Sequence, residues 1–480
     1  MASTLTKDTV DSNLCKNREA PDILRLNCDL FNNVQYVEST ILDPVVSSST
    51  YARFVIPPIG FLSPSSRLSF ALTCPAGMVQ DGTANYFLPA NVGIKSLINR
   101  VEFKSGGKTI NDCSDKHFLE AFKEVYTMPE RIYNSKNQKE GIYAGKWKNM
   151  SDDPTTLATA DQQNVLMWDS QFEYDEIDNY QPADSNLRLV NNIEFSADLS
   201  SLFGFLQNRL LPMYLMKEQV EIILHFNEGV NYYRGNGAGG APIGNISINH
   251  SETKLALDNI IYPDEIMDSF RNTDKMVSIQ DVHYQLLKRT LTKANHQFKG
   301  TFDLGGKSRF VRGVIVMFNP VFANTTNETA RYYNKYFGEG AVGHNAFIDY
   351  NIRVNGEMHY PVNISNPANQ FSELYKFDEV YGGIPTITRG EFFNDDTNLL
   401  SPLHFENAGI DFDDNLSSTK NFIFIKLNKF INNRGLELHI TRNDATASAG
   451  ITTTEMRAYV IISQEITIDK ERGEMFQRFV

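Results

Sequence analysis

Cysteine is scarce in this sequence. Four residues in 480, Cys15, Cys28, Cys74 and Cys113, fall in no CxxC spacing and are too few for a disulfide scaffold, so they read as free thiols of a reducing compartment. Long apolar runs are missing too. The longest wholly apolar stretches, GVIVMF at 313–318 and AYVII at 458–462, fall well short of the roughly 18–20 residues that span a bilayer. The start, MASTLTKDTVDSN, has no apolar core of a secretion signal, and the expectation is an unsecreted protein. Positive charge is in deficit: 45 basic against 58 acidic side chains give a net charge of −13. The first forty residues carry Lys7, Lys16, Arg18 and Arg25 against six acids, so no basic arm compensates. Sequence-independent nucleic-acid binding needs clustered Lys and Arg to displace counterions, and that class is disfavoured.

Chemical signatures are equally sparse. None of the nine histidines forms HxH, HxxH or HxxxH, which argues against zinc and iron patterns. No GxSxG elbow occurs, and no cysteine sits in a nucleophile context. Gly235, Gly237 and Gly240 fit GxGxxG, but a strand-like NISINHSETKLAL follows where a dinucleotide site needs a helix. Gly107-Lys108-Thr109 and Gly306-Lys307-Ser308 resemble the end of a phosphate loop. The earlier glycine that loop requires is Glu102 or Thr301, and strands follow, so both read as turns. Asp411, Asp413 and Asn415 alternate as in a calcium loop, yet Leu416 replaces the glycine and Phe422 the final Glu. Asp152-Asp153 and Asp395-Asp396 lie in polar loops, and the sequons at Asn245 and Asn327 arise by chance in an Asn-rich chain. No catalytic, cofactor-binding or metal-binding residue is therefore assigned.

What is present is strand. Hydrophobic residues make up 41% and charged residues 21%, an ordinary globular balance, and a chain this long buries about three quarters of its unfolded surface. Its length suits two large β units or three smaller domains. Short runs rich in Val, Ile, Phe and Tyr are cut by Gly, Pro, Asn, Asp and Ser: RLSFALTC (67–74), VEIILHF (220–226), NFIFIKL (421–427), MRAYVIISQEITI (456–468). In VEIILHF, Val220, Ile222, Leu224 and Phe226 make one apolar face and the other is mixed, as in a sandwich sheet. One helix is expected from Ser114 to about Glu130, with Phe118, Phe122 and Val125 inward and Ser114 or Asp115 as cap. A second opens at Asn366-Pro367, with Phe371, Leu374 and Tyr375 inward.

These pieces repeat in order. LINRVEFKSGGKTI (97–110) is strand, glycine turn, strand, then helix, and FIDYNIRVNGEMHYPV (347–362) has the same plan with Asn355-Gly356 as the turn. SRLSFALTCP (66–75) matches SRFVRGVIVMFNP (308–320), and EIILHF (221–226) matches LELHI (436–440). The reading is a duplicated all-β domain with a boundary near YPDEIMDSFRNTDKM (262–276). Residues 127–188 lack any period and form an insertion expected at the surface. Its aromatics, Tyr133, Tyr143, Trp147, Trp168, Phe172 and Tyr174, include both tryptophans and suit an ordered outer tower packed on a neighbour.

The run FVIPPIGFLSPSSRLSFALTCP (54–75), then VGIKSLINRVEFKSGGKTIND (92–112), then LLPMYLMKEQVEIILHFN (210–227), resembles the double jelly-roll major capsid proteins of the adenovirus-like lineage of double-stranded DNA viruses. Within that lineage it is most similar to the polinton-like virus and virophage group. The second half repeats the pattern at 308–320, 347–375 and 436–468, so the resemblance spans nearly the whole chain. It implies an all-β protein of two tandem eight-stranded jelly-roll β-sandwiches with few short helices and long surface loops. Residues 1–40 would be an N-terminal arm, 41–268 the first jelly roll and 269–480 the second. The implied role is a homotrimeric, pseudo-hexameric capsomer of an icosahedral virion shell, assembled inside the host cell. Its partners would be itself, neighbouring capsomers, and penton and minor capsid proteins, with an inner membrane compatible and no sequence-specific nucleic-acid binding. One departure is that some virophage relatives carry a further C-terminal domain, whereas this sequence ends at Val480, soon after its last strand. Two other classes fit tandem jelly rolls. A hydrolase predicts a secretion signal and a cleft of acids or metal ligands; a minor capsid, spike or glycan-binding protein is usually a single jelly roll.

Overall fold

The computed structural model describes residues 36–73, 84–86, 92–127, 139–140, 194–207, 209–227, 233–235, 247–264, 267–268, 272, 276–292, 297–322, 347–365, 369, 372–373, 376, 422–443 and 451–479. The first set of strands is β1 (Tyr36–Leu42), β2 (Tyr51–Ile56), β3 (Arg67–Thr73), β4 (Ile98–Ser105) and β5 (Lys108–Cys113). Helix α1 (Lys116–Thr127) follows, then β6 (Glu194–Asp198), β7 (Val220–Phe226) and β8 (Ser247–Ile261). The second set is β9 (Met276–Thr292), β10 (Gln297–Gly305), β11 (Arg309–Phe322) and β12 (Phe347–Val354). It ends with β13 (Phe422–Ile431), β14 (Leu436–Asn443), β15 (Ile451–Asp469) and β16 (Glu474–Phe479). β1 begins at Tyr36, inside the stretch expected as an arm.

Local chemistry accounts for these elements. β7 buries Val220, Ile222, Leu224 and Phe226 and leaves Glu221, Ile223 and His225 half-buried, the alternation its sequence implies. The β4–β5 turn puts Gly106 and Gly107 at φ +53° and +78°, and the turn after β12 puts Asn355 and Gly356 at +56° and +92°. Two successive positive φ values define the hairpin turn that matches strand twist, which is why glycine and asparagine occupy it. In α1, Phe118 and Phe122 are buried, as their helical spacing requires.

Strand order shows the duplication directly. In the first sandwich one sheet runs β1–β8–β3–β6 and the other β2–β7–β4–β5, all antiparallel. In the second, the sheets run β9–β15–β11–β13 and β10–β14–β12 followed by Glu357–Met358. β3 and β11 therefore hold equivalent lanes, as do β4 and β12, and β7 and β14, the three pairs matched in the sequence. β16 continues the β11 lane along β15, whose Val460–Ile462 stretch pairs β11 and whose Gln464–Asp469 stretch pairs β16.

One sheet is buried on both faces. Along β15, Ala458, Val460 and Ile462 enter the second sandwich's own core, while Tyr459, Ile461, Ile466 and Ile468 join the core of the first. β11 divides likewise: Val314, Val316 and Phe318 face inward, and Ile315 and Met317 face the first sandwich. Strands covered on both faces read as continuous apolar runs rather than alternating ones. That is the physical origin of GVIVMF and AYVII. Each such buried side chain contributes roughly 1.5–3 kcal/mol, so the two sandwiches are welded, not tethered.

Candidate functional surfaces and the seam between the sandwiches

Both sandwiches point their short turns the same way. Gly106 N–H donates to the Gln219 carbonyl, Ser308 N–H to Ile431, and Asn355 N–H to Gly435, at 2.8–3.2 Å. The turn between β15 and β16 extends past this end of the second sandwich onto the same end of the first. There Lys217 N–H donates to the Gly473 carbonyl at 2.9 Å, and Lys217 Nζ to the Glu471 carbonyl at 2.7 Å. Lys108 pairs with Glu474 at 3.4 Å nearby. The opposite end gathers the other strand termini: Thr73 lies beside Ser247, Phe322 beside Ile451, and Phe347 beside Asn443. Strands that end and begin there are separated along the sequence by longer stretches than the turns of the first end. The molecule thus has one end of tight turns and an opposite end where strands far apart in sequence start and stop.

Between the ends lies the seam, apolar with two polar patches. In the first, Arg457 Nε of β15 donates to Asp115 Oδ2 at 2.9 Å, and the guanidinium stacks 3.6 Å from the Phe118 ring centre. Tyr459 Oη donates to the Asp115 carbonyl at 2.8 Å. Lys288 of β9 reaches Asp115 at 3.3 Å and Glu455 at 3.4 Å, and Arg457 also pairs with Glu455. Burial pushes the Asp115 carboxyl up, but Arg457, His117 and Lys288 outweigh it and hold it below the usual range. In the second patch, Asp281 of β9 accepts from Asn111 Nδ2 at 2.7 Å and from Gln464 Nε2 at 3.3 Å; Gln464 Nε2 also donates to the Ile110 carbonyl at 3.2 Å. All three side chains are buried.

A third buried polar group lies inside the first sandwich. Lys95, 0% exposed, pairs with Glu120 of α1 at 3.2 Å and with Glu140 at 3.1 Å, and Lys116 pairs with Glu120 at 2.6 Å. Burial raises the Glu120 carboxyl, yet Lys116, Lys95 and Lys123 together hold it far below its ordinary range. Glu140 belongs to the insertion, so this cluster ties its start to the sandwich. Lys139 beside it pairs with Asp198 at 2.5 Å.

Comparison with solved structures follows this architecture. The chain matches PBCV-1 VP54 fitted into a reconstruction of the virophage Sputnik, with TM-score 0.54, 12% identity, and 93% of this chain and 97% of that one covered. It matches the Faustovirus major capsid protein at TM-score 0.52 and 10% identity, with 90% of each chain covered. The mavirus major capsid protein gives 0.50 and 10% identity, covering 92% of this chain and 90% of that one. The fold is a double jelly roll. No family model and no curated protein matches the chain by sequence.

Within the double jelly roll the sequence motifs fall where turns are needed. Gly107-Lys108 is the β4–β5 turn, and Gly306-Lys307-Ser308 joins β10 to β11, with Ser308 at φ +60°. Gly235 ends the short strand Tyr233–Gly235 paired with Ala84–Tyr86; Gly237, Gly240 and the acidic run 411–415 lie outside the described residues. Cys113 is a free buried thiol, pushed up to about 11 by burial, and Cys15, Cys28 and Cys74 lie outside. Among the described residues no group of three or more His, Cys, Asp or Glu could hold a metal, and no helix is long and apolar enough to cross a membrane. Asp115 differs from its sequence reading as a helix cap: its carboxylate is taken by Arg457 and Lys288 across the seam. Of the second expected helix, Asn369, Ser372 and Glu373 are helical; Phe371, Leu374 and Tyr375 lie outside the described residues.

Proposed function

We propose that this chain is a major capsid protein of a double-stranded DNA virus, in which two jelly rolls, 41–268 and 269–480, form one rigid wall element of an icosahedral shell. The observation that carries it is the doubled strand order fused through a two-sided sheet, with tight turns of both halves at one end. Faustovirus and mavirus major capsid proteins share that fold. A shell subunit needs a stiff body, and the apolar seam supplies it. Three copies around a closed three-fold axis place six jelly rolls in a near-hexagon. The insertion 127–188 forms the outer surface of that capsomer, and neighbouring capsomers, penton and minor capsid proteins are its partners in the virion. A charge of −13 leaves contact with the packaged genome to other components. No residue is given a catalytic role.

Light scattering on the purified chain tests this. The reading predicts about three times the 54.4 kDa chain mass. A stable, well-folded monomer at micromolar concentration would overturn it.

A further inference from the structure

Asp281 is a carboxyl placed in the seam without a counter-ion. It is 7% exposed, and the hydrogen bonds to its carboxyl come from neutral N–H groups, those of Asn111, Gln464 and the Val282 backbone. Its contacts come from both jelly rolls: Asn111 of β5 on one side, Gln464 of β15 on the other, and Gly204 close by. A buried carboxylate without a cation is costly, whereas the neutral acid is not. Gln464 Oε1 is buried in the same patch with no hydrogen-bond donor, and a protonated carboxyl is such a donor.

We propose that Asp281 is a proton-operated clasp, whose neutral carboxyl holds the two jelly rolls together and whose ionisation loosens the seam between them.

The charged groups around it do not remove the effect. The Val282 N–H and the Asn111 amide donate to the carboxyl, and Lys123 of α1 and Arg209 act on it from a distance; each pulls its proton affinity down only part-way. Further along, Asp112 of β5 faces His283 of β9, and Arg309 of β11 opposes it. Burial, the largest influence, still pushes Asp281 up to about 6. The folded value therefore lies above the ordinary carboxylate value of 3.8. The stabilisation is complete below about pH 4 and is lost as pH rises through about 6. The expected change in the docking equilibrium is roughly 100-fold. The clasp belongs to the single chain, whatever that chain assembles into.

Amide hydrogen exchange on the full chain, corrected for the intrinsic pH dependence, reads the seam through β5 and β9. In the native sequence, opening should rise by up to roughly 100-fold between about pH 4.5 and 7.5. Asp281→Asn should abolish that rise and leave the seam better protected than the native chain at the higher pH. Three results would overturn the clasp: a flat native profile, the native rise retained in the variant, or a variant that is less protected or unfolded at about pH 7.5.

Discussion

Arg457 of β15 reaches across the seam, donating to Asp115 while its guanidinium sits over the Phe118 ring. Replacing Arg457 by Met would leave the half-buried Asp115 with only Lys288 and His117 nearby, and the expected loss is about 3 kcal/mol in urea unfolding. A loss below about 0.5 kcal/mol would show the pair to be solvated. The sign of its pH dependence is opposite to that of Asp281. The Asp115 and Glu120 carboxyls are held below their ordinary values, so their stabilisation is present at neutral pH and disappears as pH falls below about 4. Asp115→Asn should therefore flatten the acid limb of the stability profile; an unchanged limb would contradict the assignment. None of this was legible residue by residue. Asp115 looks like a helix cap because Ser or Asp before a helix usually is one, and its true partner lies 342 positions away.

At the scale of elements the sequence is far more informative. Alternation in β7, glycine and Asn-Gly turns after β4 and β12, and the inward Phe118 and Phe122 all follow from period and turn chemistry. The apolar runs of β11 and β15 were legible as strands, yet not as a seam, because a continuous run states that both faces are covered without saying by what. The β15–β16 turn makes a sharp test. Gly473 sits at φ +67°, and a Cβ there would come within 2.4 Å of Lys217 Cγ and 2.7 Å of its backbone nitrogen. Gly473→Ala should cost about 1–3 kcal/mol and lower exchange protection in β16; unchanged protection would contradict the contact. The Lys95–Glu140 pair predicts that Glu140→Ala speeds limited proteolysis within 127–193 before the sandwiches are cut. Equal cleavage in both proteins would mean the pair does not anchor the insertion.

Across the whole molecule, the repeat was readable because each strand lane keeps its turn and its apolar face in both halves, so order survives where spacing drifts. The common direction of the short turns was not readable. It depends on how the β15–β16 turn docks on Lys217 and Lys108, a contact between sequence-distant segments. That polarity, with the welded seam, is what the proposed wall element needs and two merely linked sandwiches would lack. Electron microscopy of the purified chain tests this most directly. The account predicts uniform three-fold particles with a near-hexagonal outline made of six lobes. Isolated two-lobed particles, or assemblies without three-fold symmetry, would contradict it.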